Sequence, residues 1–295
     1  RWARLASFAP GVVNFFTQTA PFSTLAKALA GVHPKRRIPR FARQTFRAGF
    51  AKREAKGNAG RRVILWPDTF NDNFRPETLI AATQLLERAG FTVNIPSQPL
   101  CCGRPLDDWG FLDKAKQRFE RIFEVLRGDI DAGTPIIVLE PACASAFKDE
   151  LLNLMPQRGE AKRLSSHVRY IADFVADAVD RFPPFLKGGA ALVQAHCHHH
   201  AVIGFDKEAL LLDRLGIAVE RPPQGCCGMA GAFGMAKETF DVGRAIGERV
   251  LLPRVRELDD ETMVIADGFS CREQIEFNAG RRTLHIVELL RERMQ

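Results

Sequence analysis

The chain has 295 residues, 46% of them hydrophobic, and a formal net charge of +7, which is enough for one large domain or two ordinary ones with a packed core. Its seven cysteines are an odd number, and no secretory pattern precedes them, so the sequence argues against a disulfide framework and for reduced thiols in the cytoplasm. No apolar run approaches the roughly 18 residues that a membrane-spanning helix needs.

The positive charge is concentrated at the N-terminus. Residues 1–62 hold fourteen Lys and Arg against the single acid Glu54, together with seven phenylalanines, and prolines divide them into short pieces. We therefore predict a basic helical connector over residues 1–61. The charge alone would permit binding to nucleic acid or anionic lipid. The phenylalanines favour docking on an adjoining module of the same polypeptide, so no nucleic acid is expected as a partner.

From residue 62 onward, short apolar runs alternate with stretches of helical periodicity. The runs predict buried strands at 63–66, 91–95, 135–139, 191–194 and 263–266, and the helical stretches fall at 77–89, 113–126, 144–152 and 272–277. Strands and helices that alternate in this way predict a parallel sheet with helices packed on its faces.

The second half of the chain repeats the first. The stretch Leu85–Val93 matches Leu211–Val219, while Cys101 aligns with Cys226 and Cys143 with Cys271. The sequence thus predicts an α/β fold of two pseudo-symmetric parallel-sheet units that arose by internal duplication. We place unit 1 at 62–185 and unit 2 at 186–295, because prolines and glycines cluster between residues 183 and 189.

Four cysteines of unit 2 form the candidate site, and each follows an apolar run, closely for Cys197 and Cys271: Cys197, Cys226, Cys227 and Cys271. Open parallel sheets bind their ligands at the carboxyl ends of the strands, so these thiols are expected to converge. Four thiolates suit an iron–sulfur cluster or a zinc ion. Their long spacings differ from the compact Cys-x-x-Cys pairs of zinc ribbons, which favours iron.

Unit 1 is predicted to be degenerate, because Thr69 stands where unit 2 has Cys197. Its remaining cysteines, Cys101, Cys102 and Cys143, are interpreted either as structural thiols or as groups turned towards the site of unit 2. Histidines at 196 and 198–200 flank Cys197. His196 and His198 are candidates to donate hydrogen bonds to a cluster sulfur, and solvated surface histidines are the alternative. No acid–base catalytic constellation and no flavin or nicotinamide fingerprint is evident.

These motifs resemble the duplicated cysteine-rich domain of heterodisulfide reductase and of the iron–sulfur subunits of glycolate oxidase, lactate oxidation systems and anaerobic glycerol-3-phosphate dehydrogenase. They most closely resemble the C-terminal part of bacterial FAD- and iron–sulfur-containing D-2-hydroxy-acid dehydrogenases, which act on D-lactate or D-2-hydroxyglutarate. The resemblance covers residues 60–295 and rests on Pro-Asp-Thr-Phe from Pro67, Cys-Cys-Gly-Arg-Pro from Cys101, Glu-Pro-Ala-Cys from Glu140, Cys-Cys-Gly-Met-Ala-Gly from Cys226 and Asp-Gly-Phe-Ser-Cys from Asp267.

The resemblance implies an electron-transfer module whose flavin site lies outside this chain. It implies a 4Fe-4S cluster on Cys197, Cys226, Cys227 and Cys271. The implied partners are a domain that carries FAD, a ferredoxin-like iron–sulfur module and an electron acceptor. The implied location is the cytoplasm, at most at the periphery of the inner membrane. The Cys-x-x-Cys pairs of heterodisulfide reductase are absent, since Glu140 and Gly268 occupy their first positions. An ordinary cubane is therefore expected rather than that family's double cluster. The alternatives are thiol–disulfide chemistry at the chain's own cluster and a zinc-stabilised binding module.

Overall fold

The computed structural model describes residues 2–53, 60–223 and 225–295. Arg1, residues 54–59 of the predicted connector and Gln224 of the second Cys-Cys-Gly turn lie outside the described residues. The chain is an α/β protein with two parallel sheets, which confirms the predicted fold class. None of the described helices combines the length and the hydrophobicity needed to cross a lipid bilayer.

The N-terminal segment is helical, as predicted. Its helices are α1 (Trp2–Ala6), α2 (Pro10–Gln18), α3 (Phe22–Leu29) and α4 (Phe46–Phe50). Pro10 occupies the first position of α2, where the missing N–H leaves no intrahelical hydrogen bond unmade. Thr45 caps α4 by accepting a hydrogen bond from the Ala48 amide.

The second part of this segment packs on unit 2. Val32 forms an antiparallel bridge with Ala236, and the His33 ring stacks on Phe240 with 4.0 Å between ring centroids. The first part is different, because the apolar side chains of α1 to α3 are largely exposed. The sequence predicted one connector docked on another module, whereas the structure divides it into an anchored half and an uncovered half.

Unit 1 is built on a four-stranded parallel sheet. Its strands are β1 (Arg61–Leu65), β2 (Phe91–Asn94), β3 (Ile136–Val138) and β4 (Val168–Tyr170), in the order β2-β1-β3-β4. Every pairing is parallel. The helices are α5 (Thr69–Asn73), α6 (Pro76–Arg88), α7 (Arg104–Asp108), α8 (Leu112–Asp131), α9 (Pro141–Lys148), α10 (Glu150–Leu154), α11 (Gly159–His167) and α12 (Ile171–Asp177), and a 3-10 turn follows at Val179–Arg181.

Unit 2 has a three-stranded parallel sheet. Its strands are β5 (Ala190–Val193), β6 (Ala218–Glu220) and β7 (Met263–Ile265), in the order β6-β5-β7. A π-helical turn at His199–Ile203 follows β5. The helices are α13 (Asp206–Arg214), α14 (Phe240–Glu248), α15 (Leu251–Glu257), α16 (Phe269–Ala279) and α17 (Ile286–Arg293).

The two sheets repeat one topology, as the sequence offset predicts. The order β6-β5-β7 reproduces β2-β1-β3, and Leu284 forms a single parallel bridge with Ile265 where β4 pairs with β3. Gly90 and Gly216 end the equivalent helices α6 and α13 with positive φ angles of 81° and 63°, the conformation that favours glycine at a helix C-terminus.

The units exchange their last helices. The helix α12 of unit 1 packs on α13 of unit 2, while α17 of unit 2 packs on α6 of unit 1. One hydrophobic core consequently runs through both units, and a smaller cluster lies behind Cys227 and Cys271. The divisions of the chain at 61/62 and 185/186 stay predictions.

Candidate metal centre

The four cysteines of unit 2 lie at the carboxyl edge of one sheet. Cys197 opens the turn after β5, Cys226 and Cys227 follow β6, and Cys271 lies in the first turn of α16 after β7. Parallel strands bring their carboxyl ends to the same edge, so residues far apart in sequence meet there. The set runs from the interior to the surface, because Cys227 and Cys271 are buried, Cys226 is half-buried and Cys197 is exposed.

Cys226 is the centre of this set. The thiols of Cys197 and Cys227 donate hydrogen bonds to its sulfur and lower the pKa of Cys226 to about 2. The Gly228 amide donates to the same sulfur at 3.3 Å, and Cys227 is also hydrogen-bonded to Cys271. The same hydrogen bonds raise the pKa of Cys197 and of Cys227, so within this set the ionised form, which is the form of cysteine that binds metals, is favoured at Cys226.

The glycine after the cysteine pair is required by packing. Gly228 has a φ of 85°, and a Cβ built on it would overlap the backbone carbonyl of Gly243 in α14. Gly247, one turn further along α14, approaches the carbonyl of Cys227 in the same way. The Cys-Cys-Gly turn thus lies directly on a helix backbone, which fixes the direction of both sulfurs.

Both positions that would hold the extra cysteine of a Cys-x-x-Cys pair have other roles. A side chain at Gly268 would collide with the His196 ring. Glu140, its counterpart in unit 1, accepts a hydrogen bond from the Phe269 amide at 2.9 Å across the two units. Burial, together with the nearby carboxylate of Asp68, raises the pKa of Glu140 to about 8.

Two neutral imidazoles flank Cys197. Burial lowers the pKa of His196 to about 3, and the His198 amide donates to His196 Nδ1 at 3.2 Å, so the ring proton is on Nε2. Arg104 Nη2 lies 2.6 Å from His198 Nε2, which makes that nitrogen the acceptor and leaves the proton on Nδ1. Among the described residues, the buried His198 Nδ1 has no hydrogen-bond partner, so it is a donor available to a sulfur beside it.

The cysteines of unit 1 form a separate group. Cys102 and Cys143 are buried, and their sulfurs are 3.1 Å apart. A hydrogen bond to Cys102, and then burial, raise the pKa of Cys101, as hydrogen bonds to Cys226 do for Cys197 and Cys227 in unit 2. Thr69 is exposed at the start of α5. Within the described ranges, no hydrogen bond joins a sulfur of unit 1 to a sulfur of unit 2.

An arginine that the sequence did not single out lies behind the site. Arg36 has 1% of its surface exposed, and its guanidinium donates to Gln274 Oε1 at 2.9 Å and to the Met229 sulfur at 3.0 Å. It also lies 4.6 Å from the centre of the Phe277 ring. The charge is close enough to Cys227 for the two groups to influence each other. Arg36 belongs to the run Lys35-Arg36-Arg37, which on sequence alone is indistinguishable from a solvated basic run.

Residues 68–148 and 196–276 each match the CCG cysteine-rich domain family. The chain belongs to this family. The first match contains Cys101, Cys102 and Cys143, and the second contains all four cysteines of the candidate site, so the predicted duplication and resemblance are confirmed.

Several curated proteins are similar to this family member. One subunit of anaerobic glycerol-3-phosphate dehydrogenase from Escherichia coli K12 is 27% identical over 292 residues, which are 96% of this chain and 72% of that protein. D-2-hydroxyglutarate dehydrogenase from Pseudomonas putida KT2440 is 26% identical over 78% of this chain but only 22% of its own length. Lactate utilization protein A from Bacillus subtilis 168 is 26% identical over 79% of this chain and 100% of its own length. This chain is thus related to subunits and domains of oxidoreductases.

Proposed function

We propose that the chain is the iron–sulfur electron-transfer module of a flavin-dependent D-2-hydroxy-acid dehydrogenase, and that it passes electrons from FAD on a partner domain to an acceptor. The observation that carries the proposal is the convergence of four cysteines from three strand ends of unit 2, in which hydrogen bonds from Cys197 and Cys227 favour the ionised form of Cys226. The relatives named as dehydrogenases support an oxidoreductase.

The donor set fits a 4Fe-4S cluster better than one zinc ion. Zinc with bonds of about 2.3 Å in a tetrahedron requires all its sulfurs within roughly 4 Å of one another. In the described chain, no three cysteine sulfurs lie within 4.8 Å of one another. The side chains that do meet this limit are a histidine and two carboxylates, His199, Glu208 and Asp267. A cubane binds each thiolate through a different iron, which suits the wider set. Cys197, Cys226, Cys227 and Cys271 are the proposed ligands, and a cluster on them would accept and release single electrons.

The surrounding residues determine which side of the site is buried and which groups can donate hydrogen bonds to its sulfurs. Buried Cys227 and Cys271 would keep the inner side of the site dry, while exposed Cys197 provides the side nearest to solvent. The N–H groups of His196 and His198 would stabilise negative charge on sulfur. Cys101, Cys102 and Cys143 are proposed to lie beside this site without holding a cluster, because unit 1 supplies a hydroxyl at Thr69 in place of the fourth thiol.

The exposed apolar face of α1 to α3 is the proposed docking surface for the ferredoxin-like or FAD module. Phe8 and Leu29 are 87% and 81% exposed there, and Phe15, Phe16 and Phe22 form a ring cluster with centroids 5.1–5.6 Å apart. Apolar surface of this kind indicates an interaction site. We propose a cytoplasmic location with that module as partner.

A second substrate class is supported by one observation. The similarity to the anaerobic glycerol-3-phosphate dehydrogenase subunit extends through the N-terminal segment and covers 96% of this chain. The D-2-hydroxyglutarate dehydrogenase of Pantoea ananatis matches 99% of this chain at 25% identity, so coverage does not separate the two substrate classes, and glycerol 3-phosphate is the second candidate on the strength of the 27% identity alone. Thiol–disulfide reduction at the chain's own site is disfavoured, because Glu140 and Gly268 are committed to other contacts.

Metal and sulfide analysis of anaerobically purified protein tests the proposal. We expect about four iron atoms and four acid-labile sulfides per chain, with a brown chromophore that dithionite bleaches. About one zinc without sulfide would instead establish the zinc module. With the flavoprotein partner present, bleaching by D-2-hydroxyglutarate, D-lactate or glycolate would assign the substrate class, whereas bleaching by glycerol 3-phosphate alone would assign the second candidate.

A further inference from the structure

We propose that His199, Glu208 and Asp267 form a second metal site, which binds a divalent first-row transition cation and is separate from the cysteines. One candidate ligand atom from each residue lies within 4.8 Å of the other two. The three side chains are almost completely buried, with 1%, 1% and 4% of their surfaces exposed. Each comes from a different element: the π-helical turn after β5, helix α13 and the end of β7.

Two polar atoms of this group lack partners. Among the described residues, neither His199 Nε2 nor Glu208 Oε2 makes a hydrogen bond, although both are inaccessible to solvent. Glu208 Oε2 faces His199 Nδ1 at 3.7 Å, which is too long for a hydrogen bond. Buried polar atoms are almost always satisfied in folded proteins, so such an exception requires an explanation. A bound cation would supply the missing partner of Glu208 Oε2.

The charge of the group also requires a counterion. Asp267 accepts hydrogen bonds from Tyr170 Oη at 2.5 Å and from the Ile286 amide at 2.8 Å. These donors orient the carboxylate in the way that outer-shell residues support a metal ligand. No ion pair in the described chain links Glu208 or Asp267 to a lysine or arginine. The imidazole beside Asp267 is that of His285, whose Nδ1 lies 3.6 Å away and accepts a hydrogen bond from the Val287 amide at 3.2 Å.

The ligand chemistry selects the class of ion. One imidazole with two carboxylates suits zinc, manganese or ferrous iron, whereas calcium and magnesium favour sets made only of oxygen. The site would also connect two loops that carry cysteines, because His199 follows Cys197 in the π-helical turn and Asp267 precedes Cys271 after β7. The ion would hold these loops in register whether or not the cysteines have bound a cluster.

The test compares Glu208→Gln with Asp213→Asn, an exposed neutralisation on the same helix. The full chain is dialysed anaerobically against ZnCl2 or MnCl2, and the bound metal and the thermal unfolding temperature are measured with and without EDTA. We expect about one zinc or manganese per chain in the wild type, and an unfolding temperature that EDTA lowers. Glu208→Gln should lose the ion and the response to EDTA, while Asp213→Asn should match the wild type. The ion should also remain in Cys226→Ser, which separates it from cluster metal.

The competing state is a carboxyl pair that shares one proton. Glutamine resembles a protonated glutamate, so in that case Glu208→Gln would be as stable as the wild type or more stable. That result, together with no zinc or manganese bound by the wild type, would overturn the proposal. If Glu208→Gln does not fold, dialysis of the wild type and of His199→Gln decides the question, since equal metal binding by these two proteins would equally overturn it.

Discussion

A single buried charge behind the cysteines is the residue-scale feature with the clearest consequence. Arg36 crosses from the N-terminal segment to the Cys-Cys-Gly turn, and its hydrogen bonds go to a neutral amide and to thioether sulfurs rather than to a carboxylate. Glu273 offsets part of its positive charge, and Cys227 also lies within its electrostatic reach. Reduction adds negative charge to an iron–sulfur site, so a fixed cation beside it favours the reduced state.

Replacing Arg36 by glutamine should make the bound cluster harder to reduce. We expect the potential to fall by on the order of tens of millivolts, as measured by anaerobic redox titration. Arg37→Gln is the matched control, since half of the Arg37 side chain is exposed and solvent screens its charge. Arg36→Lys should keep a potential near that of the wild type. An equal shift in Arg36→Gln and Arg37→Gln would contradict a specific role for Arg36.

The cysteines and Arg36 differ in how far sequence could predict them. Adjacent cysteines before a glycine, each pair following an apolar run, placed the candidate thiols at strand ends. Arg36 could not be found in this way, because its partners Met229 and Gln274 are about two hundred positions away in the chain. Burial of a charged residue by such distant contacts leaves no local pattern.

At the scale of elements, the junction of α6, α16 and α17 holds the two units together. Arg272 of α16 pairs with Glu288 of α17 at 3.1 Å, and Thr78 of α6 donates to Glu288 at 2.5 Å. Both charged side chains are almost fully buried. Removing one partner of such a pair leaves the other charge without compensation in the interior.

The variant Glu288→Gln should lower the free energy of unfolding by about 3 kcal/mol. The free energy of unfolding is measured by denaturant titration without oxygen. The control is Glu292→Gln on the exposed side of α17, which should change that free energy by less than about 1 kcal/mol. Burial by itself would raise the pKa of Glu288, but the charge of Arg272 and the hydrogen bond from Thr78, with a smaller contribution from His285, together lower it. The stabilisation is therefore present above the ordinary glutamate value of 4.5 and lost as the pH falls below it. An equal loss in both variants would show that the buried pair contributes nothing special.

Sequence periodicity predicted most elements and missed the marginal ones. The predicted runs that became β1, β3, β5 and β7 are largely continuous and apolar, and the run of β2 alternates apolar with polar residues, so the burial of these strands could be predicted. Strand β4 (Val168–Tyr170) was not predicted, because it is short and has Arg169 at its centre. It forms because the edge of β3 is available for backbone pairing, and this contact between distant parts of the chain cannot be read from local sequence.

For the whole molecule, the exchange of terminal helices between units was beyond sequence reasoning. The repeat predicts two similar sheets, but the side of each sheet that meets its twin depends on how complete surfaces fit together. The division of the N-terminal segment has the same origin. Phenylalanines occur in both parts of the segment, yet only its second part finds partners on unit 2.

Hydrogen exchange should show this division in the isolated chain. The amides of Val32, His33 and Ala42 donate hydrogen bonds to backbone carbonyls, and the carbonyls that His33 and Ala42 reach are far away in sequence. The amides of residues 31–50 should therefore exchange slowly, at rates near those of β1. Residues 5–29 should exchange faster, because none of the residues of α2 and α3 is buried and amides in such exposed elements open locally. Uniformly rapid exchange over residues 5–50 would contradict the anchored half.

The central claim is that one cluster is held by unit 2 alone. Cys226 and Cys101 occupy equivalent positions of the two repeats, so Cys226→Ser and Cys101→Ser form a matched pair. The most direct measurement is the iron content of both variants, purified without oxygen beside the wild type. We predict that iron falls from about four atoms per chain to almost none in Cys226→Ser and stays near four in Cys101→Ser. Full iron in Cys226→Ser, or a loss confined to Cys101→Ser, would contradict the assignment of the cluster to unit 2.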